Sequence, residues 1–203
     1  MYKNYLKRSI DFTIALIAAP FTLLIILIMA PIIYFSNPGP IFYNAPRKGK
    51  NRNIFKMFKL RSMYVDVPDL RNEDGSTFNS DIDQRVMPIG RIMRKTSIDE
   101  IPQIFNVLLG DMSFVGPRPT LPSETRDELE CKYEKRFSIR PGITGYSQAY
   151  YRNSVSREEK FKQDVFYAEH VSFLLDLKII VKTILSVIKR ENIYSSATKV
   201  SEK

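Results

Sequence analysis

The segment FTIALIAAPFTLLIILIMAPIIYF, from Phe12 to Phe35, decides how this chain can fold. None of its 24 residues is charged. As a straight helix the segment would reach about 36 Å, against about 30 Å for the hydrocarbon core of a bilayer. A spanning helix is therefore the default prediction. A cleavable signal peptide is disfavoured because the apolar run is long for one and because Pro31 follows the point where cleavage would fall.

Two features favour a helix that enters the membrane, bends and returns. Pro20 lies in the middle of the run, where proline removes a helix hydrogen bond and kinks the helix. Basic residues stand on both sides of the run: Lys3, Lys7, Arg8, Arg47, Lys48 and Lys50. A spanning helix would place one basic cluster on the outer face, against the positive-inside bias. A re-entrant helix kinked at Pro20 keeps both clusters on the cytoplasmic side.

Composition narrows the possible chemistry. The formal net charge is +9, and most of the excess lies before Leu60, beside the apolar run. Such charge suits anionic lipid headgroups, phosphorylated substrates or nucleic acid. The single Cys131 excludes an intramolecular disulfide and a multi-cysteine zinc site, and the single His170 excludes a multi-histidine metal site. Catalysis would therefore depend on carboxylates and a hard metal ion that oxygen atoms bind.

The rest of the chain predicts an α+β protein in which helices predominate. Short strands are expected at Ile41–Tyr43 and Ile54–Leu60, and helices at Ile89–Lys95, Glu100–Leu109, Ser123–Phe137 and Glu158–Lys189. Residues 66–83 are polar and acidic, which predicts a surface loop, and the residues after Arg190 resemble a flexible tail. The last helix is amphipathic, so it can either pack on a core or lie in the membrane interface.

The sharpest chemical signal is the adjacent pair Asp99 and Glu100 in TSIDEIP, residues 96–102. One interpretation is a helix-capping box formed by Ser97 and Glu100. Pro102 favours a later helix start, with Asp99 as the N-cap, because proline is tolerated only in the first turn. There the helix dipole would keep Asp99 ionised and attract a phosphate.

The pair suits phosphoryl transfer. An ionised Asp99 could attack phosphorus, and Glu100 could hold a divalent cation that neutralises phosphate oxygens. Arg118, between two prolines, and Arg140, before Pro141, have constrained backbones, and the planar guanidinium suits phosphate. The candidate phosphate-binding cations are Lys59, Arg61, Arg94, Arg118 and Arg140. The alternative for each cation is a solvated surface charge, and for the carboxylates a capping role.

Residues 95–119, KTSIDEIPQIFNVLLGDMSFVGPRP, resemble the bacterial sugar transferase family, the monotopic phosphoglycosyl transferases that start polyprenol-linked glycan assembly. The similarity continues from Lys7–Asp11 to Asp176–Ile179. The chain resembles the minimal form of the family, of which the bacillosamine-phosphate transferase of bacterial N-glycosylation is an example. Three positions depart from the family pattern: Ala19 replaces a serine before Pro20, Ala45 a common glutamine, and Tyr150-Tyr151 an Asn-Gly pair.

The resemblance implies a reaction and a place for it. A UDP-sugar would donate its phosphosugar to an aspartate and release UMP, and undecaprenyl phosphate would then attack to give undecaprenyl diphosphate-sugar. Asp99 would be the nucleophile, and Glu100, with Asp99, would hold Mg²⁺. Lys59, Arg94 and Arg118 would contact phosphate or nucleotide.

The resemblance also implies an organisation: a re-entrant membrane helix-hairpin (1–36), a small, mostly helical cytosolic catalytic domain with amphipathic interfacial helices (37–190) and a flexible tail (191–203). The expected location is the cytoplasmic face of the bacterial inner membrane, among membrane lipids and possible downstream glycosyltransferases. No nucleic-acid partner is expected.

Two alternatives stay open. The chain could be a membrane-anchored basic protein that binds anionic lipid or nucleic acid, although its aromatic residues form no organised nucleic-acid motif. Within the enzyme class, the polyprenol phosphate could attack the donor directly, with Asp99 as a metal ligand only.

Overall fold

The computed structural model describes residues 2–70, 80, 82–122, 128–151 and 154–188. Most of the predicted acidic loop, Arg152, Asn153 and the predicted tail lie outside these residues. The helices and strands are α1 (Lys7–Ser36), β1 (Ala45–Lys48), β2 (Ile54–Met57), α2 (Pro88–Thr96), α3 (Gln103–Leu109), β3 (Ser113–Val115), α4 (Glu128–Lys132), β4 (Gly142–Thr144), α5 (Tyr146–Tyr150), α6 (Arg157–Glu169) and α7 (Phe173–Ile188). The predicted mixture of helix and sheet is confirmed.

Helix α1 contains the whole apolar segment, and it is long and apolar enough to cross a membrane. Pro20 and Pro31 both lie inside it. Its buried side chains recur four or seven residues apart, which places them on one face: Asp11, Ala15, Thr22, Met29 and Ile33. Large apolar side chains occupy the other faces and are exposed: Phe12, Ile14, Leu16, Ile17, Phe21, Leu23, Leu24, Leu27, Ile28, Ile32, Tyr34 and Phe35.

The two ends of α1 pack on different parts of the same structure. Near its start, Ala15 joins a buried cluster that includes Phe55 of β2 and Val107 of α3. Near its end, Ile33 joins a second cluster with Leu60 and with Met93 of α2. The apolar helix is therefore fixed to the remainder of the protein at both ends.

Polar contacts strengthen the attachment at the start of α1. The buried Asp11 accepts a hydrogen bond of 2.7 Å from the hydroxyl of Ser113 in β3. Lys7 Nζ lies 2.6 Å from Asp176 Oδ2 in α7, and Tyr167 donates to the other oxygen of that carboxylate at 2.6 Å. Because both carboxylates are buried, these partners offset the cost of removing charge from water.

Two small sheets complete the scaffold. Strands β1 and β2 are antiparallel, and β3 and β4 are parallel. The strand expected at Ile54–Leu60 is confirmed in its first part, since β2 ends at Met57. The regular strand expected at Ile41–Tyr43 is wrong: Phe42 pairs with Leu60 in an isolated bridge, and the regular strand begins at Ala45. The bridge has two backbone bonds, from Tyr43 N to the Lys59 carbonyl and from Arg61 N to the Ile41 carbonyl, each of 2.8 Å.

The predicted helix over Glu158–Lys189 is two helices, α6 and α7. His170 leaves the helical conformation after α6, and the Ser172 hydroxyl accepts a bond from Leu175 N at 3.3 Å, which starts the next helix. Of the predicted helix over Ser123–Phe137, the described part contains α4 and a short 3₁₀ turn. Helix α7 buries one face and exposes large apolar residues on another: Phe173, Leu174, Leu177, Val181, Ile184 and Leu185.

Candidate active site

The carboxylate pair lies in a 3₁₀ turn, Ile98–Glu100, between α2 and α3. Pro102 precedes the first residue of α3, so the prediction that Asp99 caps this helix is wrong. Proline has no N–H to donate to the Ile98 carbonyl four residues back. Ile101 N donates to it instead, at 3.2 Å, which makes a tighter turn. The site is therefore organised by nearby cations rather than by a helix terminus.

The alternative capping box is also wrong. The side chain of Ser97 makes no capping hydrogen bond, and the backbone there is left-handed, with φ of 57°. Glu100 N donates to the backbone carbonyl of Ser97 at 3.1 Å. The carboxylates of Asp99 and Glu100 are thus not used as helix caps.

Lys59 lies between the two carboxylates. Its Nζ is 3.0 Å from Asp99 Oδ2 and 3.0 Å from Glu100 Oε1. Asp99 is 2% exposed, whereas the side chains of Lys59 and Glu100 are each 23% exposed. The buried carboxylate is therefore paired with a cation that reaches it from the solvent side.

Arg118 extends the positive charge to the surface. Its Nη2 lies 3.9 Å from Glu100 Oε1, and its side chain is 60% exposed. Its backbone is held in place because the guanidinium of Arg136 donates to the Arg118 carbonyl at 2.8 Å. Arg136 is itself fixed by a buried ion pair of 2.7 Å with Asp164. The exposed guanidinium is free of the core and faces solvent beside Glu100.

The pKa shifts follow this arrangement. Burial would raise the pKa of Glu100, but Lys59 and then Arg118 hold it down to about 2. Burial would lower the pKa of Lys59, but the carboxylates of Glu100 and Asp99 raise it above its ordinary value. At neutral pH the site therefore contains an ionised Glu100 and a protonated Lys59.

Asn106 is a positioning residue that the sequence analysis missed. It is fully buried in α3, its Oδ1 accepts from Phe58 N at 2.9 Å, and its Nδ2 donates to the Lys56 carbonyl at 2.8 Å. The backbone of Leu60 donates to the Asp99 carbonyl at 3.0 Å. These bonds fix the segment that carries Lys59 against the carboxylate turn. The available signal was a lone amide within the apolar sequence IFNVLL.

The other three predicted phosphate-binding residues occupy different environments. Arg94 Nε donates to the Ser62 hydroxyl at 3.0 Å, and the charge of Arg94 also lowers the pKa of Glu100. Helix α2 approaches this segment closely, since a Cβ at Gly90 would overlap the Ser62 carbonyl oxygen. Arg94 therefore belongs to the surroundings of the pair.

Arg61 and Arg140 lie in other parts of the structure. Arg61 is 5% exposed and donates to the carbonyls of Pro40 and Asn37 and to the Asn37 side chain, which places it in the connection after α1. Arg140 Nε donates to the Gly110 carbonyl at 2.7 Å, at the far end of α3 from Asp99. Neither side chain makes a contact with the carboxylate pair among those of the described residues.

Two carboxylates fit one mode of Mg²⁺ binding. Mg²⁺ is commonly held by one or two carboxylates together with substrate phosphates and water. The position between Asp99 and Glu100 already suits a cation, because the Lys59 ammonium lies within 3.0 Å of an oxygen of each. The donor set is thus compatible with a metal that arrives together with a diphosphate.

Comparison with known proteins gives the family. The model of the family "Bacterial sugar transferase" matches residues 2–190. The chain therefore belongs to the bacterial sugar transferase family, and it is a transferase by membership. It is 38% identical over 201 residues to "Uncharacterized sugar transferase EpsL" of Bacillus subtilis (strain 168), covering 98% of this chain and 95% of that protein.

Two longer relatives have names that state a reaction. The chain is 35% identical over 190 residues to "UDP-N-acetylgalactosamine-undecaprenyl-phosphate N-acetylgalactosaminephosphotransferase" of Aeromonas hydrophila, covering 91% of this chain and 44% of that protein. It is 38% identical over 199 residues to "Undecaprenyl-phosphate glucose phosphotransferase" of Komagataeibacter xylinus, covering 93% of this chain and 37% of that protein. The chain thus spans less than half the length of these two relatives.

Proposed function

We propose that this protein transfers a phosphosugar from a UDP-sugar to undecaprenyl phosphate, through a covalent intermediate on Asp99. The observation that carries the proposal is the buried Asp99 carboxylate 3.0 Å from the Lys59 ammonium, next to Glu100, which itself lies 3.9 Å from the exposed Arg118. The names of the two longer relatives support the acceptor and the type of transfer.

The first step forms an acyl-phosphate. An Asp99 oxygen attacks the β-phosphorus of the UDP-sugar, the bond from that phosphorus to the bridging oxygen breaks, and UMP leaves with its electron pair. In the second step an oxygen of undecaprenyl phosphate attacks the same phosphorus. The acyl-phosphate bond then breaks, which regenerates the Asp99 carboxylate and gives undecaprenyl diphosphate-sugar.

The cations have separate roles in this reaction. The carboxylate can attack only when Lys59 exchanges its ion pair with Asp99 for the phosphate oxygens of the donor. Lys59 would then stabilise the charge that develops on the transferred phosphoryl group. The exposed, planar guanidinium of Arg118 would bind a phosphate of the donor or the leaving nucleotide. The charge of Arg94 adds to the positive potential around Glu100.

Asp99 and Glu100 would hold Mg²⁺ together with the donor diphosphate. When bound, the ion would supply positive charge that neutralises phosphate oxygens. Glu100 suits this purpose because its pKa of about 2 keeps it ionised throughout the physiological range.

The proposed reaction takes place at the cytoplasmic face of the bacterial inner membrane. We propose that residues 1–36 form a re-entrant unit bent near Pro20, residues 37–190 the cytosolic catalytic domain, and residues 191–203 a tail. The attachment of α1 at both ends supports re-entry, because a spanning helix would carry one end away from the catalytic domain. The exposed apolar face of α7, with Lys178 and Lys182 beside it, supports an interfacial position.

The relatives leave the sugar open. Their names specify N-acetylgalactosamine in one and glucose in the other, at 35% and 38% identity, so similarity at this level does not select a donor. The product would be a substrate for downstream glycosyltransferases that extend the lipid-linked sugar. We therefore propose the reaction class without a particular sugar.

UMP release tests the proposed function. The full-length protein in detergent micelles would be mixed with Mg²⁺, undecaprenyl phosphate and a panel of UDP-sugars. We expect at least one donor to release UMP, and Asp99→Asn to reduce the rate by about 10³-fold or more. Asp66→Asn, the same change in an exposed turn, is the matched control and should leave the rate unchanged.

The alternative of a basic binding protein predicts a different result. It predicts no UMP release from any donor and salt-sensitive binding of nucleic acid or anionic lipid. That outcome with a folded protein would replace the enzymatic proposal.

A further inference from the structure

A second basic site lies at the opposite end of α3 from the carboxylate pair. It is a cleft of about 350 Å³ where α1 begins. Its lining includes five basic side chains and one acidic side chain: Lys3, Lys7, Arg8, Lys50, Arg140 and Asp11. Helix α3 has seven residues, so about 10 Å of helix separates this cleft from the turn that carries Asp99. The cleft is thus distinct from the proposed reaction centre.

Two guanidinium groups are fixed at this cleft. Arg8 donates to the carbonyls of Val107 and Leu108, at 2.5 Å and 3.0 Å, and Arg140 donates to the Gly110 carbonyl at 2.7 Å. Both therefore bind the carboxyl end of α3, where cations are favourable. These contacts hold two like charges close together at one wall of the cleft.

The acidic side chain of the lining, Asp11, is already engaged. Asp11 accepts bonds from the Ser113 hydroxyl at 2.7 Å and from Phe114 N at 3.3 Å. Burial lowers the pKa of Arg8, and the charge of Arg140 lowers it more than that of Asp11 raises it. Arg8 is therefore affected more by the charge of Arg140 than by that of Asp11, whereas Lys7 is paired with Asp176 at 2.6 Å. An anion in the cleft would relieve the repulsion between the two guanidinium groups.

The position of the cleft suits an anion that carries a lipid tail. It lies at the start of the apolar helix, where the neighbouring Tyr5, Leu6 and Phe12 are exposed. Tyr5 and Val171 are among the residues that line the cleft itself. An anionic headgroup in the cleft would leave its tail beside apolar surface.

We propose that this cleft binds the phosphate ester headgroup of an anionic lipid, either a membrane phospholipid or a polyprenyl phosphate. The inference does not depend on the chemistry at Asp99. It concerns a lipid bound where α1 begins. A headgroup bound there would help to hold the start of the helix in the membrane interface.

Lipid retention by the full-length protein tests the proposal. The purified protein in detergent micelles would be mixed with phosphatidylglycerol, undecaprenyl phosphate or zwitterionic phosphatidylcholine, and bound lipid would be counted by native mass spectrometry. We expect retention of at least one of the two anionic lipids in preference to phosphatidylcholine. Comparison of phosphatidylglycerol with undecaprenyl phosphate identifies the source of the headgroup.

Two variants change the charge of the cleft without removing a described contact. Lys50 and Ser138 both line the cleft and are exposed, so Lys50→Glu and Ser138→Glu should fold normally. We expect each to weaken retention of the anionic lipid by about tenfold. Lys56→Glu makes the same charge change at an exposed position of β2 outside the cleft lining and should have little effect.

Three results would overturn the proposal. One is equal retention of phosphatidylcholine and both anionic lipids. The others are unchanged retention in both cleft variants, or an equal loss in Lys56→Glu. Because the readout is lipid bound rather than UMP released, failure here is distinguishable from failure of the proposed reaction.

Discussion

At the scale of single residues, Lys59 organises the charges of the site. It contacts both carboxylates at 3.0 Å, and the turn that carries them places Asp99 inside the protein and Glu100 at its edge. A buried carboxylate without a partner would be costly, and the Lys59 ammonium is the partner of Asp99. When the donor binds, the same ammonium is close enough to bind the phosphate oxygens in place of Asp99.

The lowered pKa of Glu100 predicts how the stability of the fold depends on pH. Its pKa is lowered from 4.5 to about 2, mainly by Lys59 and Arg118 acting against burial. The ionised carboxylate therefore stabilises the fold above pH 4.5, by on the order of 1–3 kcal/mol, and this contribution is lost as the pH falls from 4.5 to about 2. We expect the difference in Tm between wild type and Glu100→Gln to shrink over that range.

The measurement is thermal unfolding in one detergent from neutral pH downward. Glu128→Gln, at an exposed position of α4, is the control for the loss of a surface carboxylate. A wild-type advantage over Glu100→Gln that stays constant down to the lowest pH would contradict the ion pairing described for the site.

At the scale of elements, Arg61 stabilises the fold, whereas Arg118 is available to bind a ligand. Arg61 is buried and holds the connection between α1 and β1 through Asn37 and Pro40. Arg118 is exposed on a proline-bounded turn. Both arginines were candidate phosphate ligands, Arg118 the stronger one because prolines constrain its backbone, and their burial now separates them.

Two substitutions should therefore have opposite effects. We expect Arg61→Met to cost about 2–4 kcal/mol and to lower Tm by roughly 5–15 °C, because it leaves buried acceptors unpaired, while KM for the donor is unchanged. We expect Arg118→Met to lower kcat/KM about tenfold or more with little change in Tm. Steady-state UMP release and thermal unfolding of the same preparations measure both.

A higher KM in Arg61→Met at full stability would contradict this division. Lys132→Ala is the control for loss of an exposed cation. Its ion pair with Glu158 is solvent-exposed, so its removal should change Tm by little.

The sequence predicted those elements whose start or end is determined by residues adjacent in the chain. Gly110 ends α3 with φ of 94°, a conformation that glycine adopts readily, so this helix end was predictable. The pairing of β3 with β4 was not, because each strand has three residues and the partners are distant in sequence. The role of Arg61 was equally hidden, since a sequence gives the charge of a side chain and not its partners.

At the scale of the whole molecule, α1 determines how the protein meets the membrane. Its buried stripe is attached near Asp11 and near Ile33, and apolar side chains cover its remaining faces. The exposed apolar face of α7 adds a second surface of the same kind. A re-entrant course would leave both ends of α1, and the catalytic pair, on the cytoplasmic side.

Cysteine labelling tests that topology. Ser9→Cys and Ser36→Cys are conservative changes at exposed positions beside the two ends of the apolar segment, made in a Cys131→Ser background. We expect a membrane-impermeant maleimide to label neither position in intact cells and both in permeabilised cells. Ser154→Cys, in the catalytic domain, should behave in the same way. Labelling of one end alone in intact cells would mean that α1 spans the membrane.

The most direct test of the covalent mechanism is the mass of the protein after it has met its donor. Wild type would be mixed with Mg²⁺ and the UDP-sugar that supports UMP release, without undecaprenyl phosphate, then quenched and examined by intact-protein and peptide mass spectrometry. We predict one added phosphosugar on Asp99, absent from Asp99→Asn and discharged when undecaprenyl phosphate is added. UMP release that requires the acceptor, with no adduct on Asp99, would contradict the mechanism and favour direct attack by the lipid phosphate.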